Sequence, residues 1–178
     1  MISGGGRMDI SGTRAIYRLG HDLGEVRASI RQDFAFEVGG TKLEGRDGDT
    51  LNLPRWVCRI LEEDGFVSAD HEDMVTELKQ ALSKEKMVDA YELSKLDPDF
   101  YIRLEATMGT LEGRDLEKVE DLLVQLFRKR RGKIVKLADS ADPAPDARSS
   151  MSVEERTFYG VIHDTALEFE RQMGVSKK

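Results

Sequence analysis

Three histidines, one cysteine and a run of cations are the side chains whose types could be recruited for chemistry. His21, His71 and His163 fall in three separate segments, with neither HxxxH spacing nor a CxxC pair, so the pattern offers no zinc site. Cys58 stands beside Trp56 without a histidine near it in the chain. An activated thiolate needs such a neighbour, so a small half-buried side chain is the expectation. One cysteine forms no intramolecular disulfide, which fits a reducing compartment. The carboxylates are many but ride on amphipathic segments. A nucleophile elbow, a dinucleotide-binding glycine turn and a metal triad are all missing, and Gly4-Gly5-Gly6 lacks the rest of a phosphate loop. The expectation is no enzyme, no cofactor and no metal.

The cations lie in RKRRGK, residues 128–133, with Lys136 just beyond. At 100° per residue they spread around most of a helix instead of forming one stripe, and no aromatic residue in the run could stack on a base. Arg128, Lys129, Arg131 and Lys136 are therefore weak candidates for DNA contact, and a DNA-binding regulator is the alternative function. Arg130 differs. It falls in the middle of the apolar stripe, where a charge needs a partner, and reads as half of a structural ion pair.

These residues need a helix to position them, and 115–139, DLEKVEDLLVQLFRKRRGKIVKLAD, supplies it. Leu116, Val119, Leu123, Leu126, Phe127, Ile134 and Leu137 share a stripe about 100° wide. Acids crowd its first turns and cations its last, as the helix dipole favours. At about 37 Å it is long enough for the central post of a helical domain.

Other helices are expected around it. Residues 71–95 read as one helix bent or broken near Ser83, and a second starts at Asp97-Pro98 with Phe100, Tyr101, Leu104 and Met108 inward. After a solvated loop at 138–150, Ser152 and Glu155 form a capping box. The closing helix carries Phe158, Tyr159, Val161, Ile162, Thr165, Ala166, Phe169 and Met173 on one stripe.

Earlier in the chain the period is two. Val26, Ala28 and Ile30 alternate with polar residues, and Phe34, Phe36 and Val38 follow before a Gly39-Gly40 turn. Two more short strands lead to a helix beginning at Pro54, on which Trp56, Val57, Ile60 and Leu61 recur. Gly65 ends it, and Phe66-Val67 returns as a strand. The fold class is therefore α+β, a small N-terminal β-rich module followed by an all-α helical bundle. Residues 1–24 read as a flexible or loosely packed arm, 25–69 as the β-rich domain and 70–178 as the helical one, with a short linker at 68–72.

The chain has 178 residues, 39% hydrophobic and 34% charged, and a net charge of −7. That balance argues against general coating of nucleic acid. No apolar run reaches membrane-spanning length, and MISGGGRMD lacks a signal core, so a cytoplasmic location is expected. Val124 and Val135 on the long helix and Leu167 on the last lie off the main stripes, which suggests subunit packing. With Trp56, whose first reading is core of the small module, they are the candidate interface residues.

Three stretches together resemble the GINS proteins of the archaeal and eukaryotic replication fork. DPDFYIRLEATMGTLEG with DLLVQLFRKRRGKIVKLA is similar to the core helix pair of the GINS A domain, and MSVEERTFYGVIHDTAL to the helix that closes it. FEVGGTKLEGRDGDTLNLPRWVCRILEEDGFV resembles the small B domain, placed here before the A domain. The two classes of GINS paralogue differ in that order. The resemblance implies an archaeal, non-catalytic scaffold, nucleoid-associated, packed with itself or a second GINS subunit into a tetramer. It further implies contacts with the MCM helicase, a Cdc45/RecJ-like protein and primase or DNA polymerase.

Overall fold

The computed structural model describes residues 10–38, 40–70, 73–140 and 147–174. Gly4 to Gly6, Gly39, His71 and much of the expected linker and late loop lie outside them. The chain divides into two units: residues 18–72 make one, and residues 1–17 with 73–178 make the other.

In the small unit, alternation builds the sheet. Strand β1 (Glu25–Ile30) is central, pairing antiparallel with β4 (Thr50–Pro54) on one side and β5 (Val67–Ala69) on the other. Strands β2 (Phe34–Val38) and β3 (Thr41–Gly45) form a separate hairpin. Helix α2 (Arg55–Glu63) lays Cys58 and Leu61 onto Ala28, Ile30, Phe34, Leu53 and Val67. It stops in a Schellman motif, in which Phe66 N–H donates to the Leu61 carbonyl (2.8 Å) and Gly65 N–H to that of Glu62 (3.0 Å). Gly65 takes the left-handed φ of +78° which that motif requires. Phe34, Phe36 and Phe66 close the hairpin side, with ring centroids 5.3–6.0 Å apart.

Three expectations change here. Cys58 is fully buried instead of half-buried, and burial pushes its thiol above the usual range. Trp56 and Ile60 are exposed, because a nine-residue helix turns only one side to a three-stranded sheet. Residues 10–23 form helix α1 (Ile10–Leu23) where a loose arm was expected. Gly12 and Gly20 weaken its signal, each costing about 1 kcal/mol in a helix interior.

The helical unit contains α3 (Met74–Met87), α4 (Phe100–Met108), α5 (Gly113–Asp139) and α6 (Val153–Gln172), with one 3-10 turn at Arg148–Ser150. Helix α3 does not break at Ser83, whose hydroxyl donates to the Lys79 carbonyl (2.8 Å) and so makes no competing turn. Its apolar residues pack with Leu96, Phe100, Leu104, Val119 and Leu126 into one core. A second core joins Ile134, Leu137 and Ala138 of α5 to Met151 and Tyr159. The Ser152–Glu155 capping box opens α6.

Helices α5 and α6 run in the same direction. Arg130 meets Glu155, and eight residues on in each helix, Nδ1 of His163 lies 3.0 Å from the Ala138 carbonyl. Helix α5 ends at Asp139, so α6 continues past it for over two turns. Phe169 and Met173, expected on an inner stripe, lie beyond the end of α5 and are exposed; Val161, also expected there, is exposed although still level with α5.

The small unit carries its own probe. A Cβ at Gly45 would stand 2.4 Å from Ile30 Cδ1 and 2.8 Å from Phe34 Cε1. Gly45→Ala is expected to cost about 1–3 kcal/mol by overpacking. Denaturation followed by fluorescence of Trp56, the single tryptophan, should show the midpoint fall, while helical circular dichroism of the bundle shifts less.

Candidate protein-interaction surface

The two cores of the bundle are separated on α5 by one side chain, Arg130, which has 0% exposure. All five of its N–H donors are used. Nε and one terminal nitrogen grip the Glu155 carboxylate at 2.6 and 2.7 Å. The other terminal nitrogen reaches Glu85 Oε2 and the Ser94 carbonyl, each at 2.7 Å. The last donor goes to the Ser150 carbonyl at 2.9 Å. One guanidinium thus joins α5 to α3, to the segment before α4, to the 3-10 turn and to α6.

Its partners are held in turn. Glu85 accepts from Ser94 N–H (3.0 Å) and Oγ (2.8 Å), and its second oxygen pairs with Lys133 at 2.7 Å. Glu155 accepts from the Tyr101 hydroxyl (2.9 Å) and from Ser152 N–H (3.1 Å), serving cap and ion pair together. Burial alone would raise the Glu85 carboxyl, but Lys133, Ser94 and Arg130 outweigh it and hold it below the ordinary value. Burial likewise opposes the charge on Arg130, and Glu155 foremost holds its pKa above the usual range. Burial and then the Glu155 charge push the Tyr101 hydroxyl up, so it stays a neutral donor. This arrangement holds each charge against a partner of opposite sign.

The surface is where the bundle has something to offer. Val124, Val135 and Leu167 are exposed, as is Trp56 on the small unit. Phe127, placed on the core stripe by periodicity, is 49% exposed. It lies at the stripe's edge, where α5 faces an open groove of about 590 Å³. Tyr101, Leu104, Met108, Leu123, Val124 and Phe158 also line this groove. Ile10 and Arg14 of α1 line it too, with Arg14 paired to Glu105 (2.9 Å) and Glu154 (3.1 Å). Spacing could have placed Ile10 by its period with Thr13 and Tyr17, but nothing local predicts the Arg14 pairs.

The four candidate DNA contacts are exposed and do not converge. Arg128 and Arg131 share an α5 face with Glu117 and Asp121, whereas Lys129 and Lys136 fall about 100° away. Lys136 sits 5.8 Å from the Tyr91 ring centre, and Arg131 the same distance from that of Phe127. Among the described residues, no three His, Cys, Asp or Glu side chains group as metal ligands. No described helix is long and apolar enough to cross a membrane.

Arg130→Ala strands two buried carboxylates and is expected to cost about 3–5 kcal/mol. Lys129→Ala, on an exposed position, should stay within about 0.5 kcal/mol. Chemical denaturation of both variants checks this, and equal midpoints would refute the network's role. Glu85 also sets an acid limit. Because its folded pKa is depressed, its contribution is fully present above the ordinary value of 4.5 and is lost as pH falls through the lower folded one. Stability measured from pH 7 downward should therefore hold to about 5 and then drop.

A family model described as Sld5, GINS complex protein helical bundle domain, matches residues 71–174, more than half of the chain. Among curated proteins none matches. The matched stretch begins just before α3 and ends just past α6, so the whole helix set that Arg130 ties together falls within it. The chain belongs to the GINS family of DNA-replication complex proteins.

Proposed function

We propose that the chain is a non-catalytic scaffold subunit, joining the MCM replicative helicase to a Cdc45/RecJ-like partner at the fork. Its ordinary state is an assembly with itself or a second GINS subunit, a tetramer in total. Primase or DNA polymerase provides further contacts, DNA contact is weak at most, and the location is cytoplasmic and nucleoid-associated, as in an archaeal cell. The observation that carries this reading is the unpartnered apolar surface on α5 and α6, which belongs to a family-matched bundle whose own charges are satisfied inside. Contiguous apolar surface beside polar residues is what protein partners cover.

The acids beside Arg128 and Arg131 also weigh against a DNA site, since phosphate is repelled by them. Capture of the tagged full chain from native extract, with mass measurement of what is recovered, tests the proposal. Co-recovery of helicase and nuclease-like subunits is the expected outcome. A chain that stays monomeric across micromolar concentrations and recovers neither would refute it. For DNA, Arg128→Ala, Lys129→Ala and Arg131→Ala combined should leave duplex affinity nearly unchanged. A large loss with a shallower salt dependence would favour the regulator instead.

A further inference from the structure

The two edges of the sheet in the small unit are finished differently. The strand order is β4-β1-β5, so β4 and β5 each have one side without a strand. On β5, Phe66 accepts from Arg31 N–H and Asp70 N–H donates to the Arg27 carbonyl, which turns Val67 and Ala69 outward. That edge is closed. Ala69 N–H donates to Glu62 Oε1 of α2 at 3.0 Å, and Val67 is buried. A carboxylate thus stands where a further strand would pair.

On β4, Ile30 N–H donates to the Asp49 carbonyl and Arg55 N–H to that of Gly24, both at 2.9 Å. This parity turns the odd positions 49–55 toward β1, and the N–H and carbonyl groups of Thr50 and Asn52 away from it. Among the described residues nothing bonds to those groups, and both residues are exposed. Pro54, which has no N–H, ends the open run. The inner side of this edge is apolar. Leu51 is half-buried there. Half-buried Val57 and exposed Ile60 lie on the flank of α2 turned away from Glu62, and so away from β5.

We propose that the open edge of β4 takes up an extended segment of a partner protein as a further strand, antiparallel to β4. A row of outward N–H and carbonyl groups at strand spacing is matched by another backbone in the same conformation. The pleat then sets the chemistry of the segment. Residues opposite Thr50 and Asn52 share their solvent face, where hydroxyl side chains pair well. The residues between them turn toward Leu51 and Val57, where β-branched apolar side chains fit. The segment is therefore uncharged and alternates threonine-like with valine-like residues. The inference rests on the scaffold reading only in taking the partner to be a protein, and adds the surface and the conformation of what binds.

The test titrates the full chain with the synthetic peptide Lys-Thr-Val-Thr-Val-Thr-Lys, blocked at both ends, and follows backbone amide resonances. The Thr50 and Asn52 amides are expected to shift and to exchange with solvent at least ten-fold more slowly when peptide is bound. Methylating the threonine amides of the peptide, which face β4 in an antiparallel pair, should weaken binding at least ten-fold. Methylating the valine amides should not. Asn52→Pro removes only an outward donor and spares the ladder to β1, so it should lose the peptide while Trp56 fluorescence shows an unchanged unfolding midpoint. No binding, or binding indifferent to threonine methylation and to Asn52→Pro, would overturn the proposal. Sedimentation in which wild type self-associates and Asn52→Pro does not would also overturn it, by showing a second copy's β4 on the edge. The scaffold reading is decided separately, by the capture of helicase.

Discussion

The bundle depends on a charge placed where the core would otherwise be continuous. Arg130 interrupts the apolar stripe of α5 between Leu126 and Ile134, and desolvating it is costly. The cost is offset because five donors meet two carboxylates and two carbonyls at 2.6–2.9 Å. Such a network tolerates one register. Sliding α6 by one turn would carry Glu155 about 5.4 Å away, out of reach of the guanidinium. Apolar contacts alone permit neighbouring registers at little loss, so the ion network specifies an arrangement that grease would leave loose.

The same constraint shapes the outside. Pinning Glu155 beside Arg130 sets the start of α6 level with the middle of α5, and the equal rise of the two helices does the rest. Helix α6 must outrun α5, and its last turns present Leu167 at 51% and Phe169 at 62% exposure. On the other side, Arg14 bridges Glu105 and Glu154 and leaves a groove between α4, α5 and α6. A fold with its charges neutralised inside and apolar side chains outside is suited to binding other proteins.

The small unit obeys a different economy. Among the described residues its core is seven buried side chains, and its helix turns Trp56 outward. The Schellman turn at Gly65 and the tight approach of Gly45 to Ile30 and Phe34 define its geometry as much as apolar burial does.

The sequence by itself determined what nearest neighbours along the chain decide. The period of two in β1, the 3.6-residue period of α5, the Ser152–Glu155 cap and the need of Arg130 for a partner all follow from residues within a few positions. The glycine at 65 announced its turn for the same reason. Tertiary structure alone decided that the partners are Glu85 and Glu155, 45 and 25 positions away, because nothing local distinguishes them from the chain's other carboxylates. It also decided that Phe127, Phe169 and Met173 stay uncovered and that α1 forms across two glycines. Periodicity tells which side of a helix is apolar; whether another helix stands opposite is settled by where the chain returns.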